Sequence, residues 1–133
     1  MMSERRYPAP QPNAETRVFW DAAAEGVLKI KNCRSCFRAH YYPRAICPHC
    51  GSDKTEWVVS EGAGEIYSVS VMRRGEGAPF AVAYVTLDEG PAVLTNIVDC
   101  DPDSLAIGQR VRVAFKPSEE GAPPVPTFTP SGD

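Results

Sequence analysis

Residues 33–50 read CRSCFRAHYYPRAICPHC: two C-x-x-C pairs, Cys33/Cys36 and Cys47/Cys50, with ten residues between them. A C-x-x-C turn presents two sulfurs on one side of a tight loop. Two such loops joined by a hairpin complete a tetrahedron, the geometry Zn²⁺ prefers and thiolates satisfy at about 2.3 Å. Cys in all four places leaves no coordination position for water or substrate, so the metal expected here is structural rather than catalytic. Iron in a rubredoxin-like site is the rival occupant, although nothing nearby suggests a redox partner. His40 and His49 lie in the same stretch and are able to replace a thiolate. Four thiolates already suffice, so both read as loop residues. The fifth cysteine, Cys100, stands between Asp99 and Asp101. Acidic neighbours raise a thiol pKa, so it reads as non-catalytic.

The chain around this stretch has 133 residues, enough for one domain or two small modules sharing a core. A net charge of -3 argues against a strong non-specific nucleic-acid binder. No apolar run approaches the ~20 residues needed to span a bilayer. The opening MMSERRYPAPQPNAE lacks the apolar core of a secretory signal. A cytoplasmic location is therefore expected, with no membrane partner. Thiols stay reduced there, and paired cysteines read as metal ligands rather than disulfides.

Toward the N-terminus, residues 1–13 are polar and Pro-rich and predict an extended arm. Asn13 is the expected N-cap of a helix running to about Glu25. Val18, Phe19, Ala22 and Ala23 share one face of it, and Gly26 takes the C-cap place. Short strands are expected at Val27–Lys31, entering the first knuckle, and Trp57–Ser60, leaving the second. Residues 14–60 thus form a helix plus a ribbon. After the breaker Gly62-Ala63-Gly64 the pattern turns to strands at Glu65–Arg73, Phe80–Leu87, Ala92–Val98 and Arg110–Phe115. In the last of these Val111, Val113 and Phe115 face one way and Arg110, Arg112 and Ala114 the other. Short strands at this spacing predict a small barrel or sandwich over residues 61–117. Residues 118–133, rich in Pro and Gly, read as an extended tail with Val125 and Phe128 as anchors. The class is mostly β.

Arg34, Arg38, Arg44 and Lys54 cluster around the knuckles, and Arg73 and Arg74 end a strand. Arginines grouped in this way can bind phosphates, but on composition alone a solvated surface is the favoured reading. Phe37, Tyr41, Tyr42 and Trp57 lie near the metal, where such rings most often pack a ribbon onto its neighbour. Phe19 and Trp20 are adjacent on the helix and point about 100° apart. One is expected to pack inward and the other to stand exposed as an anchor for a partner. No Ser-His-acid set, phosphate loop or nucleotide fingerprint is present, and the two histidines both fall in the ribbon. The chain does not read as an independent enzyme.

Taken together, Phe19-Trp20, AAAEGVL at 22–28, Cys33-x-x-Cys36, Pro43-Arg44-x-x-Cys47-Pro48-x-Cys50, Trp57, Gly62-x-Gly64, Leu87-Asp88-Glu89-Gly90 and Gly108 ahead of Val111-x-Val113-x-Phe115 carry a resemblance. Over roughly residues 14–116 the chain resembles small acyl-CoA-associated proteins that join a rubredoxin-like zinc ribbon to an OB-fold, long catalogued as a domain of unknown function. One departure is Phe37, where that family often has Gly. The resemblance implies a non-catalytic subunit beside a thiolase-like or aldolase catalytic chain, or beside a hotdog-fold hydratase, that helps hold acyl-CoA. It also implies structural zinc, and contacts to CoA or partner among Arg34, Arg38, Arg44, Phe19, Trp20, Phe37, Tyr41 and Tyr42. The competing functional readings are a nucleic-acid-binding ribbon/OB module and a stand-alone acyl-CoA carrier.

Overall fold

The computed structural model describes residues 7–73, 77–119 and 121–131. The first six residues of the expected arm, Arg74, and the last two residues of the expected tail lie outside them. The helix α1 spans Arg17–Ala24, with Thr16 at its N-cap. Asn13 sits one turn earlier than expected of a cap. Its carboxamide oxygen accepts from the N–H groups of Glu15 and Thr16, both at 3.0 Å, closing a turn ahead of the helix. The helix stops at a Schellman motif: Gly26, at φ 79°, donates to Ala23 O and Val27 donates to Ala22 O, each at 2.9 Å.

The ribbon sheet has the order β2-β1-β3, built from β1 Lys29–Cys33, β2 Ala39–His40 and β3 Thr55–Val59, all antiparallel. The barrel follows with β4 Ala63–Met72, β5 Phe80–Leu87, β6 Ala92–Ile97, β7 Arg110–Lys116 and β8 Val125–Pro130, closed in the order β4-β5-β6-β8-β7. A bulge between Ile66 and Ser68 lets the long β4 coil around the barrel.

The last strand corrects the sequence reading of 118–133 as an extended tail. Residues 125–130 close the barrel, antiparallel to β7 from Val111↔Pro130 to Lys116↔Val125 and parallel to β6 at Ile97↔Phe128. Its prolines made it look irregular, but they fall where the ladder tolerates them. Val98 N–H donates to Phe128 O and Ser131 N–H donates to Arg110 O. Even-numbered residues therefore turn their backbone toward β6 and odd-numbered ones toward β7. Pro126 and Pro130 lack an N–H only on the side that β7 does not use.

One continuous core runs through both parts. Phe19, Trp20 and Ala23 of α1 join Leu28 and Ile30 of the ribbon and Ile66, Val85, Leu87, Val93, Val111 and Phe128 of the barrel. A short polar clasp fixes the junction. Ser60 N–H donates to Leu28 O, Ser60 Oγ–H donates to Glu89, Glu61 N–H donates to the other Glu89 oxygen, and Gly62 N–H donates to Ser60 Oγ, all at 2.8–2.9 Å. Gly64 permits the close approach of β4 to β5, since a Cβ there would lie 2.5 Å from Thr86 O.

Candidate metal centre

The two knuckles fold by the same local rule. Phe37 N–H donates to Cys33 O and Gly51 N–H donates to Cys47 O, each at 2.9 Å. Ser35 N–H reaches Cys33 Sγ and His49 N–H reaches Cys47 Sγ, each at 3.3 Å. Cys33 N–H donates to Arg38 O at 3.0 Å, and Cys47 N–H donates to Ser52 O at 2.8 Å. Across the pair Ser35 Oγ meets Ser52 Oγ at 2.9 Å, and Arg34 N–H donates to Lys54 O at 2.8 Å.

The four sulfurs lie within 4.8 Å of one another, with Cys33–Cys50 at 3.6 Å and Cys36–Cys47 at 3.8 Å. Four thiolates around a tetrahedral Zn²⁺ at about 2.3 Å stand about 3.8 Å apart, so the set fits the ion. The Cys36 N–H, followed in effect by that of Ser35, brings the Cys33 thiol down to about 6 despite burial, while burial pushes Cys36 up. Four crowded thiols do not ionise together on their own; a divalent cation removes the conflict.

His40 and His49 stay outside this set. His40 is buried at the end of β2, where desolvation lowers its pKa. His49 is exposed.

The aromatic residues divide differently from expectation. Phe19 and Trp20 are both buried, at 1% and 7% exposure, so α1 has no spare ring for a partner. They touch edge to face with centroids 4.8 Å apart, and Phe19 also meets Tyr41 and Tyr42 at 5.7 and 5.6 Å. Trp20 Nε1–H donates to Tyr42 Oη at 3.4 Å. The loop at 41–42 and the ribbon strands cover α1 from two sides. Val18, expected inward, is consequently the exposed residue of that face. Burial also raises the Tyr41 phenol pKa, and Trp57 carries Lys31 Nζ over its ring at 4.6 Å.

Phe37 is the exception, at 80% exposure. Its φ is 61°, the left-handed region, where Gly51 at φ 81° holds the equivalent place in the second knuckle. For a residue with a Cβ that conformation costs about 1–2 kcal/mol.

Arg34, Arg38 and Arg44 are all exposed and make no ion pair among the described residues. Arg73, at the end of a strand, pairs with Asp103 on the surface. A groove of about 500 Å³ opens between the first knuckle and the β5–β6 turn, lined by residues 37–41, His49 and residues 89–92. Sequence reasoning missed an apolar row on the outer face of the barrel: Tyr67, Tyr84 and Leu94, with Tyr84 and Leu94 directly cross-strand. Its only signal was the outward parity of those positions.

Comparison with known proteins places this geometry. Residues 20–56 match the family described as ChsH2, rubredoxin-like zinc ribbon domain, and residues 57–116 the family described as ChsH2, C-terminal OB-fold domain. A DUF35 domain-containing scaffold protein of Methanothermobacter thermautotrophicus is 41% identical over 101 residues, covering 71% of this chain and 76% of that protein. A probable enoyl-CoA hydratase alpha subunit of Thermomonospora curvata is 34% identical over 108 residues, covering 78% of this chain; the chain spans about a third of that longer subunit, 34%. Among solved structures, a chain of the Ltp2-ChsH2(DUF35) aldolase is similar at 31% identity and TM-score 0.78, over 91% of this chain and 98% of that one. The four thiols are accordingly a structural zinc site rather than an iron centre, and the chain belongs to the DUF35 family of zinc-ribbon and OB-fold proteins.

Proposed function

We propose that this chain is a non-catalytic accessory subunit that supports a CoA-thioester enzyme, a thiolase-like or aldolase catalytic chain or a hotdog-fold hydratase, in the cytoplasm. The observation that carries the reading is the near full-length match to the DUF35 chain of an aldolase, with ribbon and barrel in one shared core. A closed tetrathiolate site supports it, because such a metal shapes a surface and offers no position for chemistry. On this reading Arg34, Arg38, Arg44, Phe37 and Tyr42 meet the partner or the CoA phosphates, whereas Phe19, Trp20 and Tyr41 support the ribbon from within. Affinity purification from the native host tests it. The expected result is co-elution with a CoA-thioester-acting chain whose activity requires both proteins. A partner fully active alone, and never co-eluting, overturns it.

The groove beside the first knuckle favours a second reading, in which the chain binds acyl-CoA without a partner. Its volume of about 500 Å³ suits part of a small ligand. Calorimetry of the isolated chain with acyl-CoA separates the two, since binding without any second protein supports the carrier.

A further inference from the structure

We infer that Phe37 is the anchor by which the ribbon docks on its catalytic partner, its ring entering an apolar pocket with an acidic rim. The inference rests on the accessory-subunit reading and adds a residue and a surface chemistry to it. Exposed apolar side chains are ordinary in themselves. Val59, Tyr67, Leu94 and Ile107 are exposed to a comparable degree, but all on backbone of negative φ. Phe37 alone among them combines exposure with a left-handed backbone. The same molecule holds the inexpensive solution at the matching place, Gly51, inside an identical hydrogen-bond pattern. At 80% exposure the ring buries little against its own chain, where it only borders the groove toward residues 89–92, to offset this conformation. The gain therefore comes from a surface outside the chain, and aromatic side chains are the usual centres of such contacts.

Charge defines the surroundings of the pocket. Residues 29–59 carry six basic and two acidic side chains, whereas the rest of the chain carries eight basic and fifteen acidic. A zinc tetrathiolate removes roughly two of these positive charges and leaves the sign unchanged. Arg34 and Arg38 stand exposed on either side of the Cys36-Phe37 step without an ion-pair partner among the described residues. A complementary surface places carboxylates around the pocket that receives the ring.

The test uses the full zinc-loaded chain and the catalytic subunit isolated with it. Phe37→Gly is expected to keep one zinc per chain and to melt at or above the wild-type temperature. It should also weaken the complex at least tenfold, mainly through faster dissociation. Arg38→Glu is expected to slow association several-fold and to flatten its salt dependence. If the wild-type complex forms and Phe37→Gly binds equally well, Phe37 is not the anchor, while the accessory reading stands. If Phe37→Gly loses zinc or melts lower, the ring serves its own chain and the inference fails. If the wild-type chain forms no complex with any CoA-acting enzyme, both fall together.

Discussion

The ribbon and the barrel are both small β structures, the ribbon wholly antiparallel and the barrel closed by one parallel pairing, yet they are held by different forces. The barrel's five strands run six to ten residues and close on themselves, enclosing Ile66, Ala83, Val85, Leu87, Val93, Ile97, Val111 and Phe128. Closure pairs the backbone and buries the side chains in one step. The ribbon has strands of five, two and five residues, and its knuckle end buries chiefly Cys33, Cys47 and Pro43. Too little apolar surface gathers there to order two loops, so the metal supplies what packing does not. The contrast fades at the seam, where Leu28 and Ile30 enter the barrel's own core.

Removing the metal is the strongest way to break this comparison. Chelation, or Cys33→Ser, is expected to cost on the order of 10 kcal/mol of ribbon order. Amides of residues 33–55 then exchange freely, while those of β5 and β6 stay protected. Hydrogen exchange resolved by segment checks this. Loss of protection in both regions at the same chelator concentration shows that the shared core makes them one cooperative unit instead.

The converse perturbation strikes the barrel. Phe128 is fully buried on the strand that closes it. Phe128→Ala is expected to cost about 3–5 kcal/mol, read as a lowered denaturant midpoint, while one zinc remains bound under native conditions. A change below about 1 kcal/mol would mean that β8 does not hold the barrel shut.

Much of this architecture was legible because the decisive signals are local. Two C-x-x-C pairs encode half a coordination sphere each, and alternation such as Val111/Val113/Phe115 states which way a strand faces. The larger failures depended on neighbours distant in sequence, whereas the helix cap moved from Asn13 to Thr16 through a local turn. Val125–Pro130 looked like tail because two prolines obscure a strand whose register alone makes them harmless. Trp20 looked spare because helical periodicity assumes one covered side, and the loop carrying Tyr42 covers a second. The role proposed for Phe37 rests on a backbone angle, hinted at in the sequence by glycine at the matching position of the other knuckle, Gly51.

A smaller effect sharpens the boundary between the regions. Gly64→Ala sets a Cβ 2.5 Å from the Thr86 carbonyl oxygen, which is backbone and cannot swing aside. Pushing β4 off β5 is expected to cost about 1–3 kcal/mol, measured as a drop in barrel stability with zinc affinity unchanged. Altered zinc affinity would show strain crossing the seam.

The smallest effect concerns the clasp itself. The Glu89 carboxylate accepts from Ser60 Oγ–H and Glu61 N–H, tying the β5–β6 turn to the segment that leaves the ribbon. Its surroundings are partly open to water, so Glu89→Ala is expected to cost only about 1 kcal/mol. The informative readout is local. Amides at 60–62 should exchange faster, and a spin label in the ribbon should report a broader distance distribution to one in the barrel. Global stability and zinc content should barely move. An unchanged distance distribution assigns the rigidity of the junction to the buried contacts of Leu28 and Ile30 alone, which would make the apolar seam, rather than the clasp, the element that aims the ribbon.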